Sequence, residues 1–321
     1  MENTILLLVG VTILVLVLFD FFYTTLSGSG LGFISKKVAV SAEKLVKFLV
    51  KIMGRNILKL SGLTVNLSML FIWITLTWVG LFLVYSSNPE AIVNAQGDTA
   101  DVWERLYFTG YIISTLGMGN FYPTTPFFEI LTNCFAFLGF ILFTSSMTYF
   151  ISVASALVQK RTLIKTIHGL GTNPQTISEK LNSFSSSYSY QQLLNLQEMV
   201  DQHAVNHHAY PVVHFYTRPE PKDCLSLNMA RLDEALSILI GSENKSKFQK
   251  ELQPLRSAIY TFLQNLDSNF SRSMPKVKNP VQASYFGYHQ SIKNDEEQKD
   301  RRRILERLLK SEGLKWSDVV Q

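Results

Sequence analysis

Residues 114–123 read STLGMGNFYP and lie between two apolar segments of the chain. Gly117 and Gly119 alternate with bulky apolar residues, and glycine gives a backbone access to conformations that are closed to other residues. The flanking segments, 67–85 and 127–158, are long enough for transmembrane helices, since a span needs roughly 20 mainly apolar residues. The fold therefore depends on how an irregular loop is accommodated between two spans.

The composition divides the chain into an apolar half and a polar half. Only 17% of the 321 residues are charged, whereas soluble domains carry about 25%. Residues 1–158 contain 8 of the 30 Lys and Arg and 8 of the 25 Asp and Glu, so the net charge of +5 lies in residues 159–321. The sequence has no basic stripe interleaved with aromatic residues, so nucleic acid is not an expected partner. Cys134 and Cys224 have neither disulfide nor zinc spacing, which fits a reducing cytosol around the tail.

Three apolar segments predict membrane spans, at residues 5–22, 67–85 and 127–158. The first has neither a basic n-region nor a cleavage site, so we expect a retained span rather than a signal peptide. Lys and Arg are concentrated in the segment between the first two spans, and acidic residues dominate the segment before the third. The positive-inside rule then places the N-terminus outside a plasma membrane and the tail in the cytoplasm.

A short helix is predicted immediately before the glycine-rich loop. Asp101 and Glu104 have the spacing of a capping box, and an apolar surface follows as far as Ser114. Such a helix has about four turns of 5.4 Å and is too short to cross a bilayer. Irregular backbone at membrane depth is tolerated only where it is buried in protein or lines an aqueous cavity. The helix and loop together therefore predict a re-entrant segment that forms a pore or a binding cavity.

The sequence LYFTGYIISTLGMGNFYPTTP at residues 106–126 resembles the pore module of tetrameric potassium channels. The filter of that family usually reads T-V-G-Y-G-D, and residues 115–120 read T-L-G-M-G-N. The order of span, short helix, filter, Tyr-Pro and long apolar helix also matches, over roughly residues 67–158. The three-span layout with its basic loop and helical tail resembles bacterial ion-channel proteins of the two-span pore superfamily.

The resemblance implies a selectivity filter in which backbone carbonyls replace the water shell of a potassium ion. Its ligands would be the Thr115 hydroxyl and the carbonyls of Thr115, Leu116, Gly117 and Met118, and the filter would extend through Gly119 and Asn120. One loop per chain cannot surround an ion, so the expected assembly is a homotetramer in the lipid bilayer. No cofactor is expected besides the permeant ion.

Two filter residues depart from the family pattern. Met118 replaces the usual Tyr, and methionine is flexible and has no hydrogen-bond donor. Asn120 replaces the usual Asp, which removes four negative charges from the mouth of a tetramer. Three functions therefore remain open: a potassium channel, a weakly selective cation channel that also passes sodium, and a non-conducting receptor or scaffold with a pore-like fold. The sequence contains no catalytic constellation, so an enzyme is not expected.

Candidate gating residues lie in the third span. Gly139 is either a hinge or the site of a close helix contact. Phe143 and Phe150 are candidates for a hydrophobic constriction, with packing against lipid as the alternative.

The basic segment contains an amphipathic pattern at residues 36–60, with the apolar positions Val38, Leu45, Phe48, Leu49 and Ile52. This pattern predicts either a helix on the inner leaflet that attracts anionic lipids or a helix packed on the cytosolic tail. Asp20, near the inner end of the first span, is expected to pair with Lys36 or Lys37 or to be solvated.

The predicted architecture is an all-α membrane protein in which a mainly helical cytosolic domain follows the pore. Its segments are residues 1–26 (extra span), 27–66 (basic amphipathic segment), 67–158 (pore module) and 159–321 (helical regulatory tail). Helical spacing in the tail predicts helices over residues 190–210, 225–240, 248–270 and 292–310. We expect loops at 169–174 (GLGTNP) and 273–290, and a linker or cap at the serine-rich 183–189.

Four histidines are clustered in the tail: His203, His207, His208 and His214. His203 and His207 are four residues apart and share a helix face, as metal-binding pairs do. The surrounding sequence, HHAYPVVHFY, is rich in aromatic and apolar residues. The cluster therefore predicts a buried structural corner, with a metal-binding or pH-sensing site as the alternative.

Overall fold

The structure, a computed structural model, describes residues 3–241, 250–270, 274–277 and 296–321. The protein is an all-α membrane protein with one small antiparallel sheet. The α-helices are α1 (Thr4–Leu26), α2 (Phe33–Met53), α3 (Ser61–Ser86), α4 (Val102–Ile113), α5 (Pro126–Leu170), α6 (Pro174–Ser183), α7 (Ser186–Ala209), α8 (Leu225–Gly241), α9 (Leu252–Phe270), α10 (Glu296–Ser311) and α11 (Ser317–Val320). The sheet strands are β1 (Ile92–Asn94) and β2 (Phe121–Pro123).

Three helical segments are long and apolar enough to cross a membrane: α1, Arg55–Ser86, and α5. They correspond to the three predicted spans, and each is longer than the sequence pattern indicated. The second begins with a 3-10 turn over Arg55–Leu60 that runs directly into α3. The third continues as one helix to Leu170, so the tail begins within the same helix that carries Gly139.

The chain forms two compact units. The first unit comprises Met1–Lys44 and Leu63–Val153, and the second comprises Leu45–Gly62 and Ala154–Gln321. Both α2 and α5 contribute residues to each unit. The segment boundaries predicted at residues 66 and 158 both fall inside helices.

In the first unit, α1 packs closely on α3. A Cβ atom on Gly10 would come within 2.8 Å of the Gly80 carbonyl oxygen, so glycine is needed for this approach. At the start of α1, the Asn3 backbone N–H donates to the Ser87 carbonyl at 2.7 Å. The extra N-terminal helix is therefore an integral part of the first unit.

Asp20 contacts neither Lys36 nor Lys37, and it is not solvated, so both expectations for this residue were wrong. Its side chain is fully buried in the first unit. A carboxylate at such a position needs several hydrogen-bond donors, and the chain supplies them from two helices.

The Asp20 carboxylate caps the N-terminal end of α2. It accepts hydrogen bonds from the backbone N–H of Ile34 (2.7 Å), the backbone N–H of Ser35 (3.1 Å) and the Ser35 hydroxyl (2.5 Å). It also accepts one from the indole Nε1 of Trp73 on α3, at 3.0 Å. A negative charge at this position satisfies free N–H groups and complements the helix dipole. One side chain thus links α1, α2 and α3.

The second unit contains the helices predicted for the tail. α7 and α8 confirm the predictions at 190–210 and 225–240, and α9 and α10 confirm the described parts of the other two. Residues 248–249 and 292–295 of the predicted helices, and the predicted loop 273–290 apart from residues 274–277, lie outside the described residues.

Three of the six residues of the predicted loop GLGTNP are helical, and residues 171–173 form the loop. Gly169 and Leu170 end α5, and α6 begins at Pro174. Asn173 caps α6, because its side chain accepts from the Thr176 N–H at 2.9 Å while the Thr176 hydroxyl accepts from the Asn173 N–H at 3.2 Å. Asn followed by Pro is a helix-start signal. In the serine-rich 183–189, Ser185 occupies the N-cap position of α7, as one of the two predicted roles required, and most of the other residues are helical.

Charged groups lie in the core of the second unit, where α8 meets α10. Arg302 donates to both carboxylate oxygens of Glu234 at 2.6 Å. Arg301 donates to Asp233 at 2.9 Å. All four side chains are buried, so these bidentate and single ion pairs fix how the two helices pack.

Candidate functional site: the re-entrant loop

The re-entrant helix α4 is short and begins at a complete capping box. Glu104 N–H donates to the Asp101 carboxylate, and Asp101 N–H donates to the Glu104 carboxylate, both at 2.8 Å. The helix has 12 residues, or about three turns, one fewer than expected. Its C-terminal end lies at Ser114, directly before the glycine-rich loop.

Aromatic packing holds α4 between the two neighbouring spans. The Tyr85 ring of α3 lies 5.3 Å from Phe108 of α4 and 5.5 Å from Phe128 of α5, centroid to centroid. The Tyr85 hydroxyl is 2.6 Å from the hydroxyl oxygen of Thr132. In addition, Trp78 donates from its indole nitrogen to the Leu106 carbonyl at 3.0 Å. The start of the loop is therefore anchored to both α3 and α5.

The sign of φ alternates along the loop. Thr115, Gly117 and Gly119 have φ values of 59°, 57° and 71°, while Leu116 and Met118 have negative φ. Alternation of right- and left-handed residues turns successive N–H groups to one side of a chain, which leaves the carbonyl groups for the other side. Such a ladder of carbonyl oxygens is suited to a dehydrated cation.

Thr115 is a strained position that the sequence did not reveal. Among the described residues it is the only non-glycine residue with positive φ, and a β-branched residue rarely adopts that conformation. The strain is offset by hydrogen bonds from Thr115 N–H to the Ile112 carbonyl and from Leu116 N–H to the Tyr111 carbonyl, both at 3.0 Å. Backbone strain of this kind is typical of functional sites.

The segment 121–124, which follows the loop, is held by the small sheet. This sheet was not predicted from the sequence. Strand β2 pairs antiparallel with β1, with Val93 opposite Tyr122. The Thr124 N–H extends the pairing by donating to the Ala91 carbonyl at 3.0 Å. In the sequence, the β-branched pair Ile92 and Val93, followed by a turn at Gly97, was the signal that indicated a strand here.

A tyrosine from α4 contacts this limb. The Tyr111 hydroxyl donates a long hydrogen bond, 3.4 Å, to the Phe121 carbonyl. The ring of Tyr107, one turn earlier, lies 6.1 Å from the Phe121 ring. The four-residue spacing of the two tyrosines was the sequence signal for this contact. Met118 cannot brace the loop with a hydrogen bond, and the re-entrant helix itself supplies part of that support.

The loop is exposed in the single chain. All residues from 114 to 120 are exposed, and the apolar side chains of Leu116 and Met118 are 63% and 55% accessible. The six filter residues predicted from the sequence therefore lie together on one accessible loop: Thr115, Leu116, Gly117, Met118, Gly119 and Asn120.

Gly139 makes the close helix contact that was one of its two predicted roles. A Cβ atom there would collide with the Ile113 carbonyl at the end of α4, and α5 passes through Gly139 without a break. Its role as a hinge stays a prediction. Phe143 is exposed and Phe150 half-buried, and both line an apolar cavity of about 800 Å³ that also reaches Thr115 and Trp73.

Three of the four clustered histidines form a buried aromatic corner in the second unit. The His207 Nε2 and His214 Nδ1 atoms are 3.3 Å apart, and the His214 ring stacks on Phe270 at 4.1 Å. His203 is buried against Phe262, whereas His208 is exposed. In the described part of the chain, no three ligating side chains come together to hold a metal ion. The buried, aromatic surroundings are those of the predicted structural corner, and the metal-binding or pH-sensing role stays a prediction.

Burial controls the protonation of this corner. It lowers the pKa of His207 to about 3, with further contributions from the positive charges of Lys160 and His208. Burial also lowers the pKa of His203 and of His214 well below the usual value, and the neighbouring His207 adds to the effect on both. The three rings are therefore neutral at physiological pH.

Comparison with known proteins gives two findings. Residues 68–156 match the model of a protein family described as "Ion channel". The chain is also 29% identical over 271 residues to YdjJ of Bacillus subtilis (strain 168), a protein named as an uncharacterized membrane protein, with 82% of this chain and 79% of YdjJ aligned. No solved structure matches the chain significantly. The family match covers α4, the loop and most of α3 and α5, and it supports an ion channel of the pore-loop class.

Proposed function

We propose that four copies of this chain assemble in a plasma membrane as a cation channel that favours potassium. The alternating sign of φ over residues 115–119 carries the proposal, because an alternating backbone can turn successive carbonyl groups to one side. Four such loops around an axis give stacked rings of carbonyl oxygens, which replace the hydration shell of a potassium ion. The exposed Leu116 and Met118 side chains would then pack against neighbouring subunits.

The re-entrant helix contributes electrostatically. The C-terminal end of α4 lies at Ser114, next to the loop, and a helix C-terminus has a partial negative charge of about half an elementary charge. Four such ends directed at a central cavity would stabilise a cation there. The lysine-rich segment 27–66 supports an arrangement with the N-terminus outside and the second unit in the cytoplasm.

Met118 and Asn120 favour lower selectivity than a filter with Tyr and Asp. The carbonyl ladder survives both replacements, because its ligands are backbone atoms. Its stiffness decreases, since Met118 offers no hydrogen bond and the Tyr111–Phe121 contact is long at 3.4 Å. We expect sodium to permeate measurably but less than potassium. Gating by the tail is supported by the continuity of α5, which carries the Gly139 contact and also contributes to the second unit.

Flux measurements test the proposal. Purified protein in liposomes should pass potassium down a gradient, sodium more slowly, and large organic cations not at all. Replacement of Gly117 by Ala should lower the flux at least a hundredfold, because a side chain at φ +57° disturbs the alternation on which the carbonyl ladder depends.

Gly97→Ala is the matched control. Gly97 also has positive φ (+88°) and open space around it, so the backbone strain is similar, but the residue lies in the outer loop. Its flux should equal that of the unmodified chain. Equal flux of Gly117→Ala and Gly97→Ala would exclude the loop as the ion path. Absence of flux from both the full chain and a variant lacking residues 171–321 would favour the receptor or scaffold.

A further inference from the structure

The charged residues that line a small pocket in the second unit are mainly cationic. The pocket has a volume of about 100 Å³, and its charged lining residues are Lys59, Lys160, Arg161, Arg218, Asp223 and Glu312. The cations outnumber the acids by two, and the two exposed cations, Lys59 and Arg161, account for this surplus. The proposed channel activity assigns no role to this pocket.

The cations at the edge of the pocket lack carboxylate partners. In the described ranges of the chain, no carboxylate lies within salt-bridge distance of Lys59, Arg161 or Arg218. Arg161 and Arg218 both line the pocket, and their positive charges repel each other. An anion placed between the two guanidinium groups would relieve that repulsion.

The two acidic residues of the pocket do not balance its four cations. Glu312 is buried and accepts a hydrogen bond from the Ser226 hydroxyl. Burial raises the pKa of Glu312, and the positive charge of Lys160 lowers it by a smaller amount. Lys160 itself donates to the carbonyls of Val213 and Tyr216, both at 3.0 Å, so its ammonium group is fixed in the interior wall.

We propose that this pocket binds a phosphate group, held by the guanidinium groups of Arg161 and Arg218 and by the ammonium of Lys59. Arginine presents a planar fork of donors that matches phosphate oxygens in bidentate pairs. Three cations suit the charge of about −1.5 to −2 on a phosphomonoester better than that of a single carboxylate. The volume admits one such group, so the rest of a larger ligand would remain outside the pocket.

Binding would link three parts of the chain. Arg161 belongs to α5, Lys59 to the 3-10 turn before α3, and Arg218 to the segment between α7 and α8. The phosphate can come from a soluble ligand or from a lipid headgroup, since the chemistry at the pocket is the same. A site shared by these elements is suited to regulate the conformation of α5.

The test uses the full chain in phosphatidylcholine nanodiscs, with inorganic phosphate titrated against chloride at constant ionic strength. Phosphate should raise the midpoint of thermal denaturation saturably. Arg161→Gln and Arg218→Gln should each weaken binding about tenfold, as expected for loss of one charge-assisted contact. Both residues are at least partly exposed, so the variants should fold. Lys165→Gln is the matched control, because Lys165 is an exposed cation of α5 outside the pocket.

A second arm adds phosphatidic acid to the nanodiscs and identifies the source of the phosphate. Arginine-dependent stabilisation by inorganic phosphate supports a soluble ligand, and arginine-dependent stabilisation by phosphatidic acid alone supports a lipid headgroup. The proposal is overturned if neither probe stabilises the protein, or if the arginine variants respond like Lys165→Gln. Ion flux plays no part in these measurements, so their failure would leave the proposed channel untouched.

Discussion

The two units of this protein differ in whether they bury charged side chains. Of the charged side chains that the structure describes in the first unit, only Asp20 is buried, whereas large apolar side chains such as Phe19, Phe71 and Phe143 are more than 60% exposed. The second unit instead buries several arginines with their carboxylate partners, among them Arg301 and Arg302.

This difference follows from the solvent of each unit. Apolar side chains on the surface cost nothing when lipid surrounds them, but polar groups there must be satisfied internally. In water the situation is reversed, because exposed apolar area is unfavourable and charged groups are readily solvated. The buried ion pairs of the second unit therefore need a reason other than stability, and specifying the pairing of α8 with α10 is such a reason.

The largest expected effect comes from breaking the pair between Glu234 and Arg302. Glu234→Ala removes the carboxylate to which Arg302 donates twice at 2.6 Å. We expect the free energy of unfolding of the second unit to fall by about 3–5 kcal/mol, because a buried guanidinium loses its counter-charge. Hydrogen exchange of α8 amides would report the loss.

A double variant makes this test specific. Replacement of both residues by apolar ones, Glu234→Leu with Arg302→Met, should restore most of the stability, since an apolar pair of similar size replaces an ion pair at little cost. If the double variant is as unstable as Glu234→Ala alone, the pair stabilises the unit more than it specifies helix pairing.

The sequence predicted the parts of the site that depend on local spacing. The capping box at Asp101 and Glu104 and the glycine alternation at 117 and 119 involve residues a few positions apart, so their signals are readable in one dimension. The contact of Asp20 with Trp73 joins residues 53 positions apart. It depends on how helices pack, and no local pattern encodes it.

The strain at Thr115 escaped prediction for a different reason. Nothing in the residue type indicates a positive φ, and local preference argues against it. The anchoring bonds of the preceding helix impose it, through the Ile112 and Tyr111 carbonyls. Sequence rules fail at such positions because tertiary constraints override propensity.

The second-largest effect is expected at Asp20, the one buried charge described in the first unit. Asp20→Ala leaves the N–H groups of Ile34 and Ser35 and the indole of Trp73 without this acceptor. We expect a loss of about 3 kcal/mol from the first unit, because each buried donor left unsatisfied costs about 1–3 kcal/mol. Chemical denaturation in detergent, followed by tryptophan fluorescence, measures the loss.

Two variants control this experiment. Asp20→Asn retains one acceptor oxygen and should lie between Asp20→Ala and the unmodified chain. Asp98→Ala, at an exposed position of the outer loop, should have no measurable effect. Equal stability of Asp20→Ala and Asp98→Ala would show that the cap is dispensable.

A smaller effect concerns the pH dependence of the second unit. The folded pKa of His207 is lowered to about 3 by burial, and that of the unfolded state is about 6.5. The folded state therefore binds fewer protons between these values, so its stabilisation is complete above pH 6.5 and is lost as the pH falls toward 3. The expected slope from this residue is about 1.4 kcal/mol per pH unit.

Substitution separates this histidine from its neighbour. His207→Gln should reduce the slope of unfolding free energy against pH between pH 6 and pH 5. His208→Gln should leave the slope unchanged, because His208 is exposed. If both variants keep the slope of the unmodified chain, His207 does not contribute to acid stability.

The smallest energetic effect is expected on α2, which contributes residues to both units. Leu45 and Lys51 are both exposed and lie about 120° apart around the helix axis. Spin labels at these positions should therefore change stability by less than about 0.5 kcal/mol.

The labels are placed in a background of Cys134→Ser and Cys224→Ala. The label at Leu45→Cys should be more accessible to oxygen, and the label at Lys51→Cys should be more accessible to a water-soluble nickel complex. That difference would place the apolar face of α2 in the inner leaflet. Equal accessibility of the two labels to the nickel complex would instead place both positions in water and would favour the alternative, a helix packed on the tail.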